Sequence, residues 1–153
     1  MQIDEPVFAL DLCNIGTGTI KAAYDGLQKP EGLKILVATY FESLKDNAEL
    51  AFSLPVDGIH IDLCRGSGRA NTTANDAETD IEQALSLISE DKTLSLGVVD
   101  GRNIWKTDIT AAADRLKAVA EQRGDNLWLS SSCSLLHVPV DLEQETGFDP
   151  ELY

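Results

Sequence analysis

The chain has 153 residues, 43% hydrophobic and 25% charged, ordinary proportions for one globular domain with a sizeable core. Lys plus Arg number 12 and Asp plus Glu 26, a net charge of −14, which argues against nucleic acid or an anionic membrane surface as a partner. No apolar run approaches the roughly 20 residues of a membrane span and the first residues lack a signal-peptide pattern, so a cytoplasmic location is expected.

Met1 to Asp4 reads as a strand, with Pro6 at its exit. Val7 to Leu12 is an apolar connection. Ile20, Ala23, Tyr24 and Leu27 recur at helical spacing, which predicts a helix over roughly Thr17 to Gln28, ended by Pro30 and Gly32. Leu33 to Thr39 is a second strand, apolar on both faces as in a parallel sheet. Asp46 or Asn47 is positioned to cap a short helix through Phe52, which Pro55 stops. Gly58 to Leu63 is a third strand.

Arg65 to Asn75 has no apolar period and many small polar residues, and a flexible insertion is expected at about 65–80. The glycosylation sequon Asn71-Thr72-Thr73 falls here and is discounted without an export signal. Asp76 can cap a helix with Ile81, Ala84, Leu85 and Ile88 as its buried stripe. Leu94 to Val99 is a fourth strand. Thr107 or Asp108 opens a helix with Ile109, Ala113, Leu116 and Ala120 on one face and Gly124 beyond its end. Leu127 to Leu129 is a fifth strand, running into the small polar loop Ser130-Ser131-Ser132-Cys133-Ser134.

The order β-α-β-α-β-α-β-α-β predicts an α/β fold with a parallel sheet and crossover helices. An open doubly wound sheet and a (β/α)8 barrel both satisfy this order, and five strands with four helices are too few to close a barrel. Each strand ends in a polar group, and ligands in such folds bind beyond the carboxyl ends of the strands. Asp4, Glu5, Thr39, Asp62, Asp100 and Cys133 therefore share a rim. A thiol among carboxylates could hold a metal, or the group could bind a polar substrate. The plainer reading, that these groups cap helices and fix loops, carries more weight.

The other candidates are weaker. Arg102 could bind an anion, although pairing with Asp62 or Asp100 suits the acidic balance better. His60, out of phase with Ile59 and Ile61, points to the interior or the helix layer and reads as structural. Cys133 and His137 could form a zinc half-site or a Cys/His dyad, a weak signal with no helix to hold the spacing. Cys13, Cys64 and Cys133 are odd in number and widely spaced, with no C-x-x-C metal pair and no sign of a secreted disulfide framework. Gly16-Thr17-Gly18 and Gly66-Ser67-Gly68 complete neither a P-loop nor a dinucleotide fingerprint and read as turns.

Several long strings carry a resemblance. They are Ile3-Asp4-Glu5-Pro6, Ala38-Thr39-Tyr40-Phe41, Leu54 through Leu63, Val99 through Trp105 and Ser131 through Pro139. Together they resemble the amino-terminal half of cobalamin-independent methionine synthase over nearly the whole chain. That family has two (β/α)8 barrels. It transfers a methyl group from a methyltetrahydrofolate polyglutamate to the thiolate of homocysteine, bound to zinc in the carboxy-terminal barrel. The resemblance implies that residues 1–153 are part of the amino-terminal barrel, a partial TIM-type barrel of about five parallel strands.

Set against the catalytic barrel's pattern, the zinc-ligating His and first Cys fall at Val37 and Thr39, the Glu at Asp62 and the last Cys at Cys133. The acid histidine falls near Arg102, and the substrate-binding Asp at Asp4. The folate-contacting Glu falls at Leu10. The resemblance therefore implies no catalytic residue and no bound zinc here, with Asp62 and Cys133 as vestiges. Asp4, Asp62, Asp100 and Arg102 remain rim candidates for substrate contact. The implied role is a scaffold that packs its rim against the catalytic barrel of the same enzyme. The alternative is a stand-alone half-barrel that binds a ligand or assembles with a second copy.

Overall fold

In a computed structural model, residues 1–64, 74–138, 146, 147, 149 and 151 are described. Among the described residues five strands form one sheet: β1 (Gln2–Asp4), β2 (Leu36–Ala38), β3 (Gly58–Asp62), β4 (Thr93–Val99) and β5 (Leu127–Ser131). All neighbours are parallel and the spatial order follows the chain, β1-β2-β3-β4-β5. Between them lie α1 (Asn14–Asp25), α2 (Ala48–Ser53), α3 (Ala74–Leu87) and α4 (Ile109–Arg123), with a 3-10 turn at Pro6–Ala9. The α/β class and the partial-barrel arrangement are as expected, and the sheet is not closed: β1 and β5 are its edges among the described residues. No described helix is long and apolar enough to cross a membrane.

Alternation along each strand gives the sheet two different faces. Ile3, Val37, Ile59, Ile61, Leu94 and Leu96 pack toward the helices, into a core with Phe52 of α2, Ile81 and Ala84 of α3, and Leu116 and Val119 of α4. Gln2, Leu36, Gly58 and Thr93 form one register row on the opposite, inner face, and Asp4, Ala38, His60, Ser95 and Trp128 form the next. Asp62, Gly97 and Ser130 form a third. Gly58 is required in its row, since a Cβ there would lie 2.9 Å from both Leu36 Cδ1 and Thr93 O.

Local structure departs from the sequence expectations at several points. α1 begins at Asn14, so Gly16-Thr17-Gly18 lies inside the helix rather than in a turn before it. Asn47 precedes α2 but makes no cap bond, because its side-chain amide donates instead to the carbonyls of Phe8 and Leu10, at 2.8 and 2.7 Å. α4 does start after Asp108, whose carboxylate accepts from Ala111 N at 3.0 Å. Its buried residues, however, are Leu116 and Val119, while Ile109 is 73% exposed and Ala113 and Ala120 face solvent. Of the expected insertion at about 65–80, residues 65–73 lie outside the described residues, as do the sequon and Gly66-Ser67-Gly68, and 74–80 open α3.

The amino-terminal ends of the strands are tied by main-chain capping. Asp57 accepts from Lys29 Nζ at 2.6 Å and from Ile35 N at 2.8 Å. Lys92 Nζ donates to the carbonyls of Phe52 and Leu54, at 2.9 and 2.6 Å, satisfying the end of α2.

Candidate functional site

The polar strand ends do gather at one edge, in two groups. The first is centred on Arg102, just past β4. Its Nη1 donates to Phe41 O at 3.0 Å and its Nη2 donates to Cys64 O. Nη2 also lies 3.6 Å from Asp62 Oδ2, and Nε lies 3.7 Å from Asp100 Oδ1. The guanidinium sits over the Phe41 ring, 5.9 Å from its centre. Asp62, Asp100 and Arg102 are thus brought together, with the arginine paired to both carboxylates.

Each of these carboxylates also shapes its own loop. Asp62 Oδ1 accepts from Cys64 N at 2.8 Å, and Asp100 Oδ1 accepts from Arg102 N at 2.8 Å. Asn103 Nδ2 donates to Asp100 Oδ2. Burial pushes the Cys64 thiol up to about 12, with the charges of Asp62 and Asp100 adding to the shift and Arg102 opposing it.

The second group lines a cleft of about 460 Å³ on the inner face, among them Asp4, Tyr40, His60, Ser95, Trp128 and Cys133. His60 is 4% exposed. Its Nε2 faces Ser132 O at 3.2 Å, an acceptor only, so Nε2 carries the proton and Nδ1 accepts from Ser95 Oγ at 2.9 Å. Burial lowers its pKa, against smaller opposite effects of Ser132 O and Asp4. Tyr40 is raised to about 12, by burial first and then by its hydrogen bond to the Asp4 carboxylate.

Thr39, the expected tip of β2, is buried, and both its N and its Oγ1 donate to His60 O, at 3.0 and 2.7 Å. Cys133 is 4% exposed, and burial raises its thiol pKa. Ser132 holds the β4 and β5 tips together, since its N donates to Val99 O at 2.7 Å and its Oγ accepts from Gly101 N at 3.1 Å. The backbone of His137 lies in a 3-10 turn, Leu135–His137, and its side chain is outside the described residues. The Cys133/His137 pairing therefore falls outside them too.

Sequence reasoning had not marked Tyr40, Ser95, Trp128 or Ser132. For Ser95 a signal existed, because Leu94-Ser95-Leu96-Gly97 alternates large apolar with small residues, as Ile59-His60-Ile61-Asp62 alternates apolar with polar.

Residues 1–124 match the family model described as cobalamin-independent synthase, N-terminal domain. The chain belongs to this family. It is 46% identical over 152 residues to a 5-methyltetrahydropteroyltriglutamate–homocysteine methyltransferase of Acidithiobacillus ferrooxidans, a match covering 99% of this chain and 18% of that protein. Proteins of the same name from Ralstonia pickettii and a Chelativorans species match at 47% and 46%, with the same coverage. The chain thus spans 18% of the length of these methionine synthases and corresponds to part of their amino-terminal domain.

Proposed function

We propose that this chain is part of a methionine synthase that moves a methyl group from a 5-methyltetrahydrofolate polyglutamate to homocysteine, and that its own role is that of a non-catalytic scaffold. The match to relatives named for this reaction, at 43–47% identity across 99% of the chain, carries the reading. The catalytic barrel of the same enzyme, with its zinc, is the implied partner, and the rim that bears Arg102 is the face that meets it.

The residues at the positions of the family's zinc ligands do not suit a zinc ion. Val37 is fully buried in the helix-side core and Thr39 is committed to His60 O. Asp62 is paired with Arg102, and the Cys133 thiol is harder to ionise than usual. Among the described residues no group of three or more His, Cys, Asp or Glu side chains could hold a metal ion. No catalytic step is therefore assigned to this rim.

The test is methionine formation from methyltetrahydrofolate triglutamate and homocysteine. Turnover is expected from a full-length protein that contains this sequence and none from the 153-residue chain. Turnover by the chain alone would end the scaffold reading, and an inactive full-length protein would end the methyltransferase reading. A second reading, self-assembly of two copies, draws on the outer strand β5, where Trp128 and Leu129 are 54% and 58% exposed. Sedimentation of the chain as a monomer at every concentration would exclude it.

A further inference from the structure

Four oxygen atoms from the tips of β2, β3 and β4 converge on one place. They belong to the carboxylates of Asp62 and Asp100 and the main-chain carbonyls of Phe41 and Cys64. Carboxylates combined with main-chain carbonyls are the donor set that proteins offer to hard cations. Here the cation is a side chain of the protein itself, since every one of these oxygens faces a guanidinium nitrogen of Arg102.

The arginine is held in that place from behind. Its backbone N–H donates to Asp100 at 2.8 Å, and the preceding Gly101 donates to Ser132 Oγ at 3.1 Å. A Cβ on Gly101 would lie 2.7 Å from Cys133 O, so the approach of the β5 loop fixes the start of the Arg102 loop. The Asp62 side chain is fully buried, and a carboxylate in such a place is held ionised at a large desolvation cost unless a counter-charge stands beside it. A guanidinium keeps its charge at any ordinary pH and its planar fork can reach several acceptors at once, as a point charge on a flexible stem does not.

We propose that Arg102 is the resident cation of this rim: its guanidinium takes the part a metal ion would play and ties the tips of β2, β3 and β4 into one unit whose shape depends on no ligand. This goes beyond the scaffold role and does not depend on it, because it concerns only the rim's own cohesion.

Chemical rescue tests it in the 153-residue chain. Arg102→Ala is expected to lower the melting temperature by roughly 5–12 °C, as for loss of one partner of a buried ion pair. Low-millimolar methylguanidinium is expected to restore at least half of that loss, and to leave the unsubstituted chain unchanged. Zinc, calcium and magnesium ions are expected to restore none of it. Arg102→Lys keeps the charge and loses the fork, so it should melt between the two and show no rescue.

An Arg102→Ala melt equal to that of the unsubstituted chain overturns the proposal. So does rescue by a divalent ion, which would make the four oxygens a metal site that the arginine merely covers. So does a loss of stability that methylguanidinium leaves untouched, which would mark the arginine as packing alone. Should Arg102→Ala not fold, refolding in methylguanidinium against sodium chloride is the readout. Recovery of a cooperative melt only in methylguanidinium supports the proposal, and failure in both, with Arg102→Lys melting like the unsubstituted chain, overturns it.

Discussion

Among the glycines of the described residues, Gly97 leaves the least room for a side chain. It lies on the inner face of β4, between His60 of β3 and the chain leaving β5. A Cβ there would lie 2.6 Å from Ser132 Cα and 3.0 Å from His60 Cε1, well inside the 3.4 Å at which ordinary contact begins. The first neighbour is backbone and the second a ring held at both nitrogens, so neither can swing aside as the end of a flexible side chain would. Moving Ser132 away strains its bonds to Val99 O, Gly101 N and His60 Nε2.

Overpacking of a tight site costs about 1–3 kcal/mol, and one or two weakened hydrogen bonds add about 1 kcal/mol each. Gly97→Ala should therefore destabilise by roughly 2–5 kcal/mol, a fall in melting temperature of roughly 5–15 °C for a chain of this size. Gly18→Ala is the matched control, since Gly18 is exposed on α1 with nothing within 4 Å of its Cβ position. It should stabilise by about 0.5–1 kcal/mol. Circular-dichroism melts of the three chains decide the matter. A Gly97→Ala chain melting within about 2 °C of the parent would refute the claim that the β4–β5 junction is closely packed.

Two further outcomes follow from burial at the same edge. Cys13 is exposed, whereas the Cys64 thiol is pushed from about 9 to about 12 and that of Cys133 is also raised. Iodoacetamide at pH ~8 should then modify Cys13 first and Cys64 on the order of a thousandfold more slowly than an ordinary thiol, which site-resolved mass spectrometry will show. Equal rates at Cys13 and Cys64 would contradict the burial of the β3 tip. The second outcome concerns His60, whose folded pKa lies below the unfolded value of 6.5. The unfolded chain takes up a proton there first, so stability should fall as the pH drops below about 6.5 and level off once the folded pKa is passed. The loss due to Asp57, whose pKa is held down by Lys29 and Ile35 N, comes only below about pH 4. Denaturant melts of the parent and His60→Gln between about pH 5 and 8 isolate the effect, and an unchanged slope in the variant would assign it elsewhere.

What the sequence showed well is what depends on local pattern. The five strands follow from short apolar runs bounded by turn residues, and the parallel sheet follows from helices recurring between them. The Asp108 cap was legible because its partner, Ala111, is three residues away. Asn47 was misread because its partners, Phe8 and Leu10, are distant in the chain and offer two carbonyls in place of one helix N–H. The stripe of α4 was misread because Ile109 and Ala113 share a helical face with Leu116, yet the sheet reaches only Leu116 and Val119. Arg102 was legible as a partner of Asp62 or Asp100. Its bonds to Phe41 O and Cys64 O were not, since a main-chain acceptor leaves no mark in the sequence.

The polar strand ends are explained by a need of the backbone before any need of a ligand. A strand that stops at a rim leaves N–H groups in the first turn beyond it without a ladder partner. Asp62 meets that need for Cys64 N, and Asp100 meets it for Arg102 N, each two residues on and each at 2.8 Å. Ser132 does the same across the sheet for Gly101 N. An asparagine would make the same turn, so turn geometry alone does not require a charge at either tip. What requires it is the guanidinium, which meets both carboxylates. Among the described residues the two acidic tips and Arg102 between them are therefore one feature of the chain, with the turns as its frame and the ion pairs as its content.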